Sequence, residues 1–184
     1  MDALRTPDAR FESLPDFPFA PRHVDVPSGD GGTLRMAYVD EGPASAPVVL
    51  MLHGEPTWSF MYRALVARVR DAGMRAVAPD LVGFGRSDKP TAREAFSYAA
   101  HMGWLRAFVD ALSLREIALV CHDWGGLLGL RMVGESPERF ARVVATNTFL
   151  PTGEQKVSDA FFAWREFSQS TPVFPAGRIV AGGC

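Results

Sequence analysis

The stretch Ile117-Ala118-Leu119-Val120-Cys121-His122-Asp123-Trp124-Gly125-Gly126 decides how this chain folds. An apolar run of strand length ends at Asp123, and two glycines open the apolar segment that follows. Such a junction predicts a strand, a tight turn and a helix, with the turn residue exposed at the carboxyl edge of a sheet. The glycines allow the helix to pack close to the strand.

The position of Asp123 allows two interpretations. Aspartate is a common N-cap, because its carboxylate accepts hydrogen bonds from the first backbone N–H groups of a helix. A carboxylate on an exposed turn can also attack carbon and form a covalent ester. The stretch alone favours the N-cap, so the remainder of the sequence has to choose between the two.

The composition is that of an ordinary globular protein. The chain has 184 residues, 47% of them hydrophobic and 22% charged, with a net charge of -2. There is no basic cluster to bind nucleic acid or an anionic membrane surface, and no apolar run approaches the roughly 20 residues that span a bilayer. Two cysteines, Cys121 and Cys184, make no disulfide framework, and Met1 to Phe11 contains no apolar signal region. We therefore expect a cytoplasmic protein.

Apolar runs alternate with amphipathic segments along most of the chain. Four runs are predicted to be strands of a buried parallel sheet: Val48–Leu52, Met74–Ala78, Ile117–Cys121 and Ala141–Ala145. Three segments between them are predicted to be helices: Trp58–Arg70, Tyr98–Leu112 and Gly125–Val133. This alternation is typical of βαβ units.

The two ends of the chain differ from this pattern. We expect residues 1–21 to form an irregular arm whose phenylalanines dock onto the domain, followed by a hairpin of Arg22–Val26 and Leu34–Val39. After Asn147 the alternation stops and a helix is predicted over Ala160–Ser168. We accordingly expect a core at residues 1–147 and the beginning of an insertion or lid at residues 148–184.

Three predicted strands end in distinctive residues. These ends are His53-Gly54-Glu55-Pro56, Asp80 with a glycine-rich loop, and Asp123-Trp124-Gly125-Gly126. Ligands of open α/β sheets collect outside the carboxyl ends of the strands. Each motif alone is a weak signal, but the three together predict one site at this edge.

The three motifs resemble those of the α/β-hydrolase superfamily, and within it the haloalkane dehalogenases with an aspartate nucleophile. The matching residues are H-G-E-P-T-W-S at 53–59, P-D-L-V-G-F-G-R-S-D-K-P at 79–90 and D-W-G-G at 123–126. The resemblance runs from Arg5-Thr6-Pro7-Asp8 into the tail. It implies an α/β-hydrolase fold, a mostly parallel sheet flanked by helices, which here ends after about six strands with the start of a helical cap.

The resemblance also implies a reaction. Asp123 would displace halide from a small apolar halogenated substrate, and water would hydrolyse the resulting alkyl ester to an alcohol. The backbone N–H groups of Glu55 and Trp124 would form the oxyanion hole, and the Trp124 indole would donate to the halide. The chemistry uses no cofactor and no metal, and we expect a monomer if the chain is complete.

A second halide donor is expected from the cap. Some branches of the family use an Asn where Glu55 stands, but an ionised Glu cannot donate a hydrogen bond. The other branch uses a cap tryptophan, and the segment Phe161-Phe162-Ala163-Trp164-Arg165 is similar to it, which makes Trp164 the donor. Trp58 and Trp104 are expected only to pack.

None of the four histidines has the setting of a general base. His53 belongs to the oxyanion loop, and strand alternation turns His122 away from the nucleophile's face. In the superfamily the acid and then the histidine follow the nucleophile. We therefore expect both to lie beyond Cys184, with this chain representing about the first three-fifths of such an enzyme.

Two rival interpretations remain open. Epoxide hydrolases share the aspartate nucleophile and often the H-D-W-G-G string found at 122–126. A non-catalytic hydrolase-like module is the alternative from a different functional class.

Overall fold

The computed structural model describes residues 1–154 and 156–182, so Cys184 of the cysteine inventory lies outside the described residues. The chain divides into two compact units, Met1–Leu150 and Pro151–Cys184. The division lies close to the boundary expected from the sequence at residues 147 and 148.

The first unit is organised around a six-stranded sheet. In chain order the strands are β1 (Ala3–Leu4), β2 (Arg22–Pro27), β3 (Thr33–Glu41), β4 (Val48–Leu52), β5 (Arg75–Pro79), β6 (Lys89–Pro90), β7 (Ile117–His122) and β8 (Phe140–Thr146). The sheet order is β2-β3-β5-β4-β7-β8, and β1 pairs separately with β6. Strands β5, β4, β7 and β8 run parallel to one another. Strand β3 pairs antiparallel with both β5 and β2. The mostly parallel sheet of about six strands is confirmed.

Helices α1 (Arg63–Asp71), α2 (Tyr98–Ala111) and α3 (Trp124–Glu135) cover both faces of the sheet. The second unit contains α4 (Asp159–Ser170) and α5 (Ala176–Ala181). All five residues of β4 are buried, and they alternate between two hydrophobic clusters. One cluster contains residues of α2 and α3, and the other contains residues of α1. A central strand buried on both faces explains the continuous apolar run in the sequence.

The predicted helix over Trp58–Arg70 is wrong in its first part. Trp58 is extended, with φ of -155°, a 3₁₀ turn spans Ser59–Tyr62, and α1 begins only at Arg63. Met61, an apolar residue of the predicted helix, is 36% exposed. Tertiary hydrogen bonds explain the difference, because the Ser59 N–H donates to Asp80 and the Tyr62 hydroxyl donates to the Leu52 carbonyl.

The arm docks as expected but is not wholly irregular. Phe17 and Phe19 are buried, and the Phe11 ring lies 5.3 Å from the Trp58 ring between centroids. The two-residue strand β1, which pairs with β6, was not predicted.

In the second unit, α4 agrees with the predicted helix, whereas α5 falls where none was expected. Trp164, Phe167 and Phe174 form an aromatic cluster in this unit, with ring centroids 5.7 to 6.0 Å apart. None of the helices in the described part of the chain is both long enough and apolar enough to cross a membrane.

Candidate active site

Asp123 lies on a sharp turn between β7 and α3. Its φ of +51° and ψ of -122° are unusual for a residue with a side chain. Such backbone strain occurs mostly at functional sites, where the surrounding structure holds it in place. The predicted order of strand, turn and helix is confirmed at this point.

The Asp123 side chain does not cap α3. Its carboxylate makes no capping hydrogen bond; instead, Oδ1 accepts a hydrogen bond of 2.8 Å from the Glu55 N–H. The backbone carbonyl of Asp123 accepts from the N–H groups of Gly126 and Leu127 and from the Thr148 hydroxyl. The N-cap interpretation of the carboxylate is therefore wrong, and the carboxylate is joined to the loop after β4.

This close approach of loop and turn depends on two glycines. A Cβ atom at Gly54 would overlap the Asp123 carboxylate, and one at Gly125 would overlap the carbonyl oxygens of Leu52 and His53. The Gly125 contact agrees with the prediction that α3 packs close to its neighbouring strands. The Gly54 contact was not predicted, because it joins residues distant in sequence.

Glu55 and Trp124 lie next to Asp123. The pKa of the Glu55 carboxyl is raised, first by desolvation and then by the nearby Asp123 carboxylate. The Trp124 N–H is the first of α3 and is one of the N–H groups that a helix cannot satisfy internally. The Trp124 side chain is 42% exposed.

A cavity of about 470 Å³ opens beside this turn. Most of its side chains are apolar or aromatic: Leu81, Phe84, Phe96, Tyr98, Trp124 and Leu128. Gly54 and Glu55 also line it. The Tyr98 hydroxyl is occupied, since it donates to the Leu127 carbonyl at 2.9 Å. The cavity therefore favours a small apolar ligand.

His101 also lines the cavity, although no motif marked it in the sequence. Burial is the largest cause, and an electrostatic effect of the nearby His53 ring the second, of a His101 pKa lowered to about 4. Its ring contacts Phe96 and Trp104, with the Trp104 centroid at 5.0 Å. His101 is consequently a neutral group on the cavity wall at physiological pH.

His53 is buried and fully engaged. Nε2 accepts a hydrogen bond of 2.9 Å from the Leu81 N–H, so the proton resides on Nδ1, which lies 3.0 Å from the Gly54 carbonyl oxygen. Burial lowers the pKa of His53 and keeps the ring neutral. Among the described residues, no histidine hydrogen-bonds to Asp123, and Nδ1 of His122 is buried without a partner there.

Asp80 joins the two loops next to the site. Oδ1 accepts from the Ser59 N–H at 2.9 Å, and Oδ2 accepts from the Arg86 N–H at 2.8 Å. Asp80 is 1% exposed. The sequence marked it as the end of a strand, but its two loop partners could not be inferred from local spacing.

The structure brings Asp123, Glu55 and Trp124 together, whereas Trp164 lies in the second unit and is 51% exposed. Trp104 is buried and Trp58 stacks on Phe60, so both pack as expected. The part of the chain that is described contains no cluster of three or more side chains suited to a metal ion.

A mostly parallel sheet with helices on both faces and a sharp turn after a central strand define an α/β protein of the hydrolase type. The chain belongs to the α/β hydrolase fold family, whose sequence model matches residues 47–177.

Curated proteins named haloalkane dehalogenase are similar to this chain over its whole length. A haloalkane dehalogenase of Mycolicibacterium paratuberculosis is 50% identical over 183 residues, which are 100% of this chain and 61% of the relative. One from Psychrobacter cryohalolentis is 49% identical and is covered to 60%. The chain thus spans about three-fifths of the length of the curated relatives that it matches.

Two kinds of solved structure are similar to this chain. The tetrameric haloalkane dehalogenase DpaA of Paraglaciecola agarilytica NO2 superimposes with a TM-score of 0.85 at 41% identity, covering 95% of this chain and 58% of that one. An epoxide hydrolase of Vigna radiata reaches a TM-score of 0.67 at 30% identity, covering 81% of this chain and 47% of its own.

Proposed function

We propose that this chain carries the nucleophile and part of the halide site of a haloalkane dehalogenase. The observation that carries the proposal is the Asp123 carboxylate, which leaves its helix uncapped and accepts the Glu55 N–H beside an apolar cavity. A carboxylate held by one oxygen keeps the other available for attack. Identities near 50% to haloalkane dehalogenases support this choice of reaction.

In the proposed first step, Asp123 Oδ2 forms a bond to the halogenated carbon while the carbon–halogen bond breaks. The halide leaves with the bonding electron pair and needs donors in a dry pocket. The Trp124 indole N–H is one donor, since an indole has no competing acceptor. Trp164, which lies in the unit from Pro151 onwards, is the proposed second donor.

In the second step, a base takes a proton from water, the water oxygen bonds to Cγ of the ester, and negative charge develops on Oδ1. The bond from Cγ to the alkoxy oxygen then breaks, and the alcohol leaves with that proton. The N–H groups of Glu55 and Trp124 are the proposed oxyanion hole. Water activation requires a base, and the two nitrogens of His53 are both occupied. We propose that the base and its acid partner are not among residues 1–184, so that the ester accumulates. We expect the protein to act in the cytoplasm without a cofactor and, if the chain is complete, as a monomer.

Alkylation of Asp123 by 1-bromobutane tests this function. We expect intact mass spectrometry to show one butyl adduct, peptide mapping to assign it to Asp123, and halide release to stop after about one equivalent. Asp123→Asn, which retains the shape but removes the nucleophile, should form no adduct. A wild-type chain without an adduct would contradict the nucleophile, and steady multiple turnover would contradict the missing base.

The epoxide hydrolase alternative is supported by the more distant structural neighbours. Incubation with styrene oxide distinguishes it, because an epoxide hydrolase would open the ring to an alkyl ester or a diol. We expect adduct formation with the bromide and not with the epoxide. For a non-catalytic module, bromide would fail to quench tryptophan fluorescence, whereas a halide site at Trp124 predicts quenching.

A further inference from the structure

The carbonyl oxygen of Gly54 accepts three hydrogen bonds. The Thr57 N–H and the Thr57 hydroxyl each donate from 2.9 Å, and His53 Nδ1 lies 3.0 Å away. A carbonyl oxygen has two lone pairs, so three donors saturate it. The same peptide group carries the Glu55 N–H, which donates to Asp123 Oδ1. One peptide plane is therefore held on its carbonyl side while its N–H side faces the nucleophile.

The side chains of His53 and Thr57, which both donate to this carbonyl, have few alternative hydrogen-bond partners. His53 Nε2 is occupied by the Leu81 N–H, so the ring can present only a protonated Nδ1 to Gly54. The Thr57 hydroxyl also lies 3.6 Å from the sulfur of Met61. A thioether is a weak acceptor, so the single hydroxyl proton goes to the carbonyl.

We propose that Thr57 and His53 are positioning residues of the oxyanion hole. They fix the plane of the Gly54–Glu55 peptide and polarise it through its carbonyl, which makes the Glu55 N–H a stronger donor. Thr57 donates to the Gly54 carbonyl both through its backbone N–H, which closes a turn, and through its hydroxyl. The side chain can therefore be altered without removing the backbone hydrogen bond of the turn. The catalytic part of this inference rests on the proposed function.

The two chemical steps should respond differently to a weaker Glu55 donor. Ester formation moves negative charge from the Asp123 carboxylate to the departing halide, so a donor on Oδ1 gives no acceleration. Addition to the ester carbonyl places negative charge on Oδ1, where a preorganised donor stabilises the transition state. A positioning role therefore predicts slower ester breakdown with little change in ester formation.

Thr57→Val and Thr57→Ser form the test pair, because valine keeps the shape without the hydroxyl and serine keeps the hydroxyl. The butyl ester of each protein is formed with 1-bromobutane and then treated with hydroxylamine. The hydroxylamine nitrogen bonds to Cγ of Asp123, the bond from Cγ to the butoxy oxygen breaks, and butanol leaves with a proton from the nitrogen. A hydroxamate remains, and mass spectrometry follows the exchange.

We expect Thr57→Val to slow ester breakdown about fivefold and to change the alkylation rate by less than about twofold. Thr57→Ser should restore the wild-type rate. A merely structural role predicts that valine slows both steps alike. Equal slowing of both steps, or no slowing of ester breakdown, overturns the positioning role.

A second measurement does not depend on catalysis. In ¹⁵N-labelled protein without substrate, the Glu55 amide proton should resonate downfield, move upfield in Thr57→Val and stay in place in Thr57→Ser. If the wild-type chain forms no ester but the Glu55 amide moves in this way, the proposed function fails and the positioning stands. An unmoved Glu55 amide in Thr57→Val overturns the positioning, whether or not the ester forms.

Discussion

Asp123 holds a backbone conformation that residues with side chains seldom adopt, and several local contacts maintain it. Its carbonyl accepts from two N–H groups of the first turn of α3 and from Thr148. Its carboxylate accepts from Glu55. Because these contacts stabilise the turn, the strain of about 1–3 kcal/mol expected for such a conformation persists in the folded chain. The result is a carboxylate oriented by the loop after β4 and not by the helix that it precedes.

Asp80 stabilises the loops next to this turn, and replacing it should lower the stability of the fold. Asp80→Asn keeps the size of the side chain but replaces one accepting oxygen with an amide that cannot accept. Either the buried N–H of Ser59 or the partly buried N–H of Arg86 then loses its partner. We expect the free energy of unfolding to fall by about 2 kcal/mol in urea titrations.

Asp71→Asn is the matched control for Asp80→Asn, since Asp71 is exposed and pairs with the neighbouring Arg70. Exposed ion pairs contribute little, so this variant should unfold at the urea concentration of the wild type. If Asp80→Asn were as stable as Asp71→Asn, the two hydrogen bonds to Asp80 would not contribute to stability.

At the scale of elements, sequence patterns predicted what is continuous and local. The run Val48–Leu52 marked a buried strand because all its residues face a hydrophobic cluster. The glycines after Asp123 marked a close strand–helix packing for a similar reason. The predicted beginning of helix α1 is wrong because the Ser59 N–H donates to Asp80, which is distant in sequence, and this hydrogen bond overrides the helical periodicity.

Short or long-range features gave no signal in the sequence. Strands of two residues such as β1 and β6 show no periodicity, and each is defined only by its partner. No motif marks His101 in the sequence, yet the fold brings it to the cavity wall. The contact between Gly54 and Asp123 likewise depends on the pairing of β4 with β7.

Helix α2 contains an exposed glycine that should be improvable. A Cβ atom at Gly103 would meet nothing within 4 Å, and its backbone is helical. Glycine inside a helix is less favourable than alanine because it loses more conformational entropy on folding. We expect Gly103→Ala to raise the free energy of unfolding by about 0.5–1 kcal/mol, measured by urea denaturation.

The matched comparison is Gly125→Ala in α3, where the same substitution has no room. Its Cβ atom would overlap the carbonyl oxygens of Leu52 and His53, so the variant should be less stable than the wild type despite its better helix propensity. Equal stabilisation by both substitutions would show that α3 does not need a glycine at its closest approach to β4.

At the scale of the whole molecule, two neutral histidines couple folding to pH. Burial is the main cause that lowers the pKa of both His53 and His101, to about 4 for His101. In the unfolded chain both should titrate near pH 6.5. Between about pH 4 and pH 6.5, the unfolded chain binds a proton at His101 that the folded chain does not bind. Their stabilising contribution is therefore complete above about pH 6.5 and declines as the pH falls towards 4.

The variant His101→Phe tests this coupling in urea titrations from pH 7.5 to pH 4.5. The wild type should lose stability as the pH falls, with His101 contributing about 1 kcal/mol per pH unit in the steepest region. A phenylalanine cannot bind a proton and suits the aromatic neighbours Phe96 and Trp104, so the variant should show a shallower slope. Burial lowers the pKa of His23 as well, but His23 is exposed, so His23→Phe should change the slope less than His101→Phe does. A His101→Phe slope equal to that of the wild type would mean that His101 is protonated in the folded chain, which burial beside the cavity opposes.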